Sequence, residues 1–363
     1  MRDKRYLIWL SSLSGVGNKS CMGLVRYFGS AENVYNCSFS ELMSSGIIDE
    51  RTAMTVSQDR NLENADDYLK TMKESGINVY TIHESEYPGN LKHIYDPPPV
   101  IHVKGGLKPG DDTAVGIVGS RKATDYGLKA AHRIAFRLAE MGITIVSGMA
   151  LGIDSAAHRG ALKAGGRTIA VCACGLKHVY PASNYGLSQE ISKNGALISE
   201  YPFDTAAFAN QFPARNRIIS GMSLGVIVVE AGEKSGSLIT ADFALEQGRE
   251  VFAVPGNISS PNSKGTNTLI KNGAKLVGSI EDIIEELNLD IIYRGKRDTE
   301  SDNNTAAMDI SIEEGLILRL LQGKEADKDE IAAATKLQPG KVMAALTKLE
   351  IKGIIQQVGE NYL

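Results

Sequence analysis

The sequence predicts an α/β fold organised around an extended, doubly wound, mostly parallel sheet. Three observations lead there. From about residue 66 to 287, short runs rich in Val, Ile and Thr alternate with stretches of helical length, the pattern of successive βαβ units. A glycine follows nearly every one of those runs, where a strand must turn into a loop. The 363 residues also exceed what one hydrophobic core usually organises, which leaves room for smaller units at both ends.

Residues 1–65 read as short helices over 6–10, 21–28 and 39–43, with the turn Gly15-Val16-Gly17 between the first two. Such a turn fits a helix–hairpin–helix unit, whose amides face a phosphate, but glycine is so common in turns that a plain helical bundle is the first reading. Strands are predicted over 79–82, 100–103, 114–118, 144–147, 168–171, 196–199, 226–229, 251–254 and 275–277, with helices over 126–141, 155–163, 184–193 and 237–247 among those between them. Right-handed crossovers then bring the strand-to-helix loops to one edge of the sheet, where ligands of such folds bind. Residues 288–307 are polar and read as a linker. In 308–363, helices over 312–321, 328–334 and 339–351 are followed by strands over 354–358 and 362–363, the arrangement of a winged helix.

Composition narrows the partners. The formal net charge is −4, so a nucleic-acid partner would have to be met by local positive charge. Aromatic residues are 6% of the chain, too few for a surface built mainly of stacking rings. With no apolar run of spanning length and no signal-peptide pattern at the N-terminus, a cytoplasmic protein without a membrane partner is expected. Cys21, Cys37, Cys172 and Cys174 lack scaffold spacing and suit reduced thiols.

The chemistry gathers at the strand exits: Gly119-Ser120-Arg121, Gly148 to Asp154, Cys172 to Leu176, Glu230 to Gly232 with Ser235 to Thr240, and Pro255-Gly256-Asn257, joined by Phe212 to Asn216 ahead of a helix predicted from Arg217. Glycine lets a ligand's backbone approach, and each following helix offers unpaired amides at its positive end. With Arg121, Arg215 and Arg217 these loops predict a phosphate site several loops wide. The dinucleotide fingerprint is absent after Gly119, and so is a Walker-type phosphate loop, of which Gly17-Asn18-Lys19-Ser20 is only a superficial echo.

The ordered series GSRKATDYG, SGMALGIDSAAHRGAL, GLKHVYP, ISEYP, FPARNRIISG, SGSLITADFALEQGR, VFAVPG and LIKNGA resembles the DprA (Smf) family of DNA-processing proteins across roughly 66–287. The resemblance implies an extended Rossmann-like domain that binds single-stranded DNA through backbone phosphates, without catalysis or cofactor. It also implies a small N-terminal helical domain of the SAM or helix–hairpin–helix kind, a C-terminal winged helix, homodimerisation, and protection of incoming DNA with loading of the RecA recombinase during natural transformation. On that basis the DNA-binding candidates are Gly119, Ser120, Arg121, Lys122, Gly148, Gly152, Lys177, Arg215, Asn216, Arg217, Gly236, Ser237, Thr240 and Lys264. Where many members place a lysine after Tyr-Pro this chain has Ala182, and Lys177 is the nearby candidate to replace its contact.

Plainer readings stand beside these. Asp154 and His158, one helical turn apart, have the form of an acid–base dyad or of a helix cap and a packing histidine; no nucleophile stands near them. Cys172 and Cys174 lack a second ligand pair for a metal. Pairing with Glu200 or Glu230 would account for one of Arg215 and Arg217. Lys234, Lys264 and Lys271 add charge or are simply solvated. Over 306–363 seven basic residues meet nine acidic ones, although Lys336, Lys341, Lys348 and Lys352 gather around the third helix, so protein contact rivals DNA contact there. Two other functions compete with strand binding: a phosphoribohydrolase-like enzyme, with Ser235-Gly236-Ser237 in place of its usual motif, and a winged-helix regulator with a ligand-sensing domain.

Overall fold

In the computed structural model, residues 2–289 are described throughout, and beyond them 317, 320, 321, 326–335, 337, 339–351, 355, 357, 358, 361 and 362. The chain divides into two compact units, Met1–Tyr293 and Arg294–Leu363.

The first unit opens with six helices: α1 (Arg2–Ser12), α2 (Asn18–Phe28), α3 (Ala31–Asn36), α4 (Phe39–Ser44), α5 (Glu50–Gln58) and α6 (Glu63–Glu74). Local chemistry starts several of them. Ser30, Ser38 and Asp49 each accept an amide of the first turn, and Glu41 closes a capping box on Ser38. The boundary expected near residue 65 falls inside α6. No separate core divides the helices from the sheet, because Leu7, Leu24, Leu42 and Val56 belong to the same buried cluster as Ile101, Ile198 and Ile219.

Then come β1 (Ile77–Thr81), α7 (Gly89–Lys92), β2 (Val100–Gly105), β3 (Ala114–Val118), α8 (Asp125–Glu140), β4 (Thr144–Ser147), α9 (Ile153–Lys163), β5 (Thr168–Val171), α10 (Tyr185–Asn194), β6 (Ala196–Ser199), α11 (Gln211–Gly221), β7 (Gly225–Val228), α12 (Gly236–Glu246), β8 (Glu250–Ala253), α13 (Lys264–Lys271), β9 (Lys275–Leu276) and α14 (Glu281–Glu286). All nine strands expected from the sequence are present in one sheet of order β1-β2-β6-β5-β4-β3-β7-β8-β9. From β6 to β9 the neighbours are parallel, whereas β2 is antiparallel to both β1 and β6, so its exit lies at the opposite edge from the others.

Successive strand residues face opposite layers. On β7, Val226 and Val228 pack with Ile218 of α11 and Ala241 of α12; Ile227 packs with Ile134 of α8 and Ala157 of α9. Helices therefore cover both faces, which is why the central strands are apolar on each side. Connections run outward from β3 through β4 and β5 in one direction, and from β7 through β8 in the other. Beside one another, β3 and β7 form the switch point at which a doubly wound sheet leaves a crevice beyond its carboxyl ends.

The second unit holds β10 (Ala326–Asp327), α15 (Lys328–Thr335), α16 (Pro339–Ile351), β11 (Gln357–Val358) and β12 (Asn361–Tyr362), with sheet order β10-β12-β11. Ile317, Ile331, Val342, Leu346, Leu349 and Tyr362 form its buried core. The two later helices and the closing hairpin match the sequence expectation. Most of the helix expected over 312–321, all but the first two residues of the linker expected over 288–307, and the turn residues Gly359 and Glu360 lie outside the described residues.

Candidate nucleic-acid interface

A cleft of about 840 Å³ opens at the switch point, lined by the β3–α8 loop, the β7–α12 loop, the start of α11 and Tyr180. The first loop is held from below. Its Ser120 amide donates to the Glu230 carbonyl at 2.8 Å, while the Ile153 amide donates to the Ser120 carbonyl at 3.2 Å. The Glu230 carboxylate is 2% exposed and accepts the Thr124 amide at 2.9 Å and its hydroxyl at 2.5 Å. At Gly152, φ is +79° and a Cβ would lie 2.2 Å from the Ser120 carbonyl oxygen, so only glycine lets α9 begin this close to the loop.

On that fixed loop Arg121 points outward, its guanidinium carbon 4.8 Å from the centre of the Phe212 ring, which in turn lies 5.3 Å from Tyr180. Ser235 caps α12, its hydroxyl accepting the Ser237 amide, and Gly236, Ser237 and Thr240 of that helix line the cleft at its positive end. Asn216 donates to the Gly236 carbonyl at 3.2 Å and ties α11 to α12. Among the described residues, Arg121, Lys122 and Lys234 make no ion pair, so three cations on the cleft rim are left to solvent or ligand.

The other two arginines part ways, and the pairing with Glu200 weighed for one of them holds for Arg217. Helix α11 begins at Gln211, before Phe212 and Pro213, so Arg215 and Arg217 are two residues apart on a helix and cannot share a face. Arg215 reaches the cleft floor, 3% exposed, and donates to the Gly148 carbonyl at 2.5 Å and to the Val171 carbonyl. Buried Asp154 lies in its field: burial pushes that carboxyl up, and Arg215 opposes the shift. Arg217 is turned away altogether, paired with Glu200 at 2.5 Å and Asp96 at 3.4 Å. Burial raises Glu200 and Arg217 counters it. Thus Arg217 is no part of the cleft, and Arg215 is a buried brace that contributes its edge to the floor.

Of the remaining candidates, Gly119, Ser120, Arg121, Lys122, Asn216, Gly236, Ser237 and Thr240 all line the cleft. Gly148 lies beneath it, where a Cβ would stand 2.4 Å from an Arg215 guanidinium nitrogen. Lys177 is paired with Asp204 at 2.7 Å and Lys264 with Glu233 at 3.2 Å, both away from the lining. Gly152 belongs instead to a neighbouring groove of about 710 Å³. Tyr180, Phe212 and Asn262 also line the cleft although they are not among the binding candidates; Tyr180 and Phe212 each precede a proline in the sequence.

His158 is fully buried. The Thr168 hydroxyl donates to the Ile145 carbonyl at 2.8 Å, so it accepts from His158 Nδ1 at 2.6 Å and leaves Nε2 as a bare acceptor. Burial pushes this imidazole down to about 3, so it is neutral and packed rather than a base. Asp154 accepts the Ala150 amide at 3.3 Å, while Gly152 holds the cap position. All four cysteines are buried and unbridged, and burial pushes the Cys21 and Cys172 thiols up to about 12. Among the described residues no cluster of three or more His, Cys, Asp or Glu could hold a metal ion, and no helix is long and apolar enough to cross a membrane.

A family model described as DNA recombination-mediator protein A matches residues 78–288, and another, described as DprA winged helix domain, matches residues 302–361. The DNA processing protein DprA of Bacillus subtilis (strain 168) is 49% identical over 220 residues, covering 60% of this chain and 74% of its own. The X-ray structure of DprA from Streptococcus pneumoniae superposes with a TM-score of 0.70 at 35% identity, covering 78% of this chain and 97% of that one. DNA processing protein A from Helicobacter pylori, solved for its single-stranded-DNA binding mode, superposes with a TM-score of 0.53 at 33% identity, covering 59% of this chain and 96% of that one.

Proposed function

The chain belongs to the DprA/Smf family, and we propose on that premise that it binds single-stranded DNA in the switch-point cleft, gripping the strand without doing chemistry on it. The observation that carries this is the convergence of Arg121, Lys122 and Lys234, none of them in an ion pair among the described residues, on the Ser235-capped first turn of α12. Phosphates meet the cations and the α12 amides, while bases rest against Tyr180 and Phe212. None of these groups reads a base edge, so recognition follows the backbone. Among the described residues the one carboxyl lining the cleft, Asp154, is buried beside Arg215 and accepts an amide, an arrangement for bracing a loop rather than for activating water.

Within the cell, this grip serves incoming strands during natural transformation: the protein covers them in the cytoplasm and, as a homodimer, hands them to the RecA recombinase. Anisotropy titrations with single- and double-stranded oligonucleotides test the binding step. Single strands are expected to bind more tightly than duplex, with affinity falling steeply as salt rises. Preference for one duplex sequence at physiological salt would favour the regulator instead, and release of free base from nucleoside monophosphates would favour the hydrolase. RecA filament assembly on strands already coated by a single-strand-binding protein tests the loading step, which requires faster assembly when this protein is added.

A further inference from the structure

The cleft has a neighbour on the other side of the Ser120–Lys122 loop. This second groove, about 710 Å³, is lined by Arg121, Lys122, Lys129 and His132 on one flank and by Leu151, Ser155 and Arg159 on the other. Lys129 and His132 lie three positions apart on α8, Ser155 and Arg159 four apart on α9, so each helix turns one face to the groove. None of its lining residues is a carboxylate, although the chain as a whole is acidic. Lys129 and Arg159 are exposed and make no ion pair among the described residues. Beside the cations the lining is apolar at Leu128, Ala156 and exposed Leu151.

Arg121 and Lys122 line both spaces. The loop that carries them is pinned by Glu230 on one side and by the start of α9 on the other, so it is a fixed ridge rather than a flap. Cations with apolar carbon beside them are what a flexible polyanion with planar bases requires.

We propose that the groove between α8 and α9 is a second subsite for the same single strand, which crosses the Arg121–Lys122 ridge from the cleft and meets Lys129 and Arg159 through its phosphates. This rests on the strand binding proposed above and adds its direction and extent: the strand leaves the cleft over α8 and α9, not over α12. The binding footprint is then longer than the cleft alone holds.

The test compares thymidine oligomers of about six and about sixteen nucleotides, the span of ~4–16 nucleotides over which single-strand site sizes run, on the full chain and on a Lys129→Gln/Arg159→Gln double variant. Both residues are exposed, and thermal melting checks that the variant is folded. The double variant is expected to bind the long oligomer about tenfold more weakly and to lose about 1.4 from the slope of log affinity against log salt, two phosphate contacts at ~0.7 each. The short oligomer is expected to be unaffected, while Arg121→Ala weakens both lengths. Equal affinity of wild type and double variant for the long oligomer, or an equal loss on both lengths, overturns the second subsite while leaving the cleft's function standing. Failure of the wild type to bind either length overturns the function itself.

Discussion

At the scale of single residues, three arginines of one apparent motif set have three different roles. Arg121 faces outward over Phe212, Arg215 braces the loops from beneath, and Arg217 neutralises Glu200 in the interior. Replacing Arg121 with alanine is expected to weaken single strands of every sequence alike and to lower the salt slope by about 0.7, one phosphate contact; a titration series over several sequences checks both. Replacing Arg217 with methionine should spare binding by the folded protein yet lower its stability by about 3–5 kcal/mol, since a buried carboxylate loses its partner; urea denaturation reads that loss. His158 yields a pH prediction. Its folded value is depressed to about 3 against an ordinary 6.5, so the unfolded chain takes up a proton first on acidification, and stability is lost as pH falls through 6.5. Between pH 7 and pH 5 this group's share is about 2 kcal/mol. A His158→Asn variant should therefore lose that much less than the wild type over the same interval, as measured by denaturation at both pH values.

At the scale of elements, the site is made by how loops are held. Glu230 contacts the Thr124 amide and hydroxyl and so fixes the turn between β3 and α8. Glu230→Ala is expected to cost about 1–3 kcal/mol through the orphaned Thr124 amide, and to weaken strand binding although Glu230 itself lies beneath the cleft; stability and affinity measured on the same preparation check both halves. Strands were legible because β-branched runs of four or five residues leave little alternative, and their glycine exits marked the loops. Helices α3, α5 and α6 were not singled out, being short or poor in apolar residues. The N-cap residues Ser30 and Asp49 announced two of them three residues ahead of an amide they accept. The start of α11 was not legible: the helix is expected only from Arg217, whereas it begins at Gln211 and carries Arg215 and Arg217 on opposite faces.

At the scale of the molecule, every described residue that lines the cleft or the groove belongs to the first unit, while the second carries an acidic excess that suits it poorly to phosphate. The Streptococcus pneumoniae structure is matched over 97% of its length by 78% of this chain. Chain terminated after residue 293 is therefore expected to keep its affinity and salt slope for single strands; a loss beyond about threefold in anisotropy titration would give the terminal unit a share in the grip. The sealed thiols offer a route to watching that grip directly. With Cys21, Cys37, Cys172 and Cys174 all shut inside the fold and the Cys21 and Cys172 thiols pushed up to about 12, maleimide dyes have almost nothing to attack on the native protein. A lone cysteine introduced at exposed Ser183, on the wall of the second groove, would then take the label by itself, and its emission would report the moment a strand arrives there.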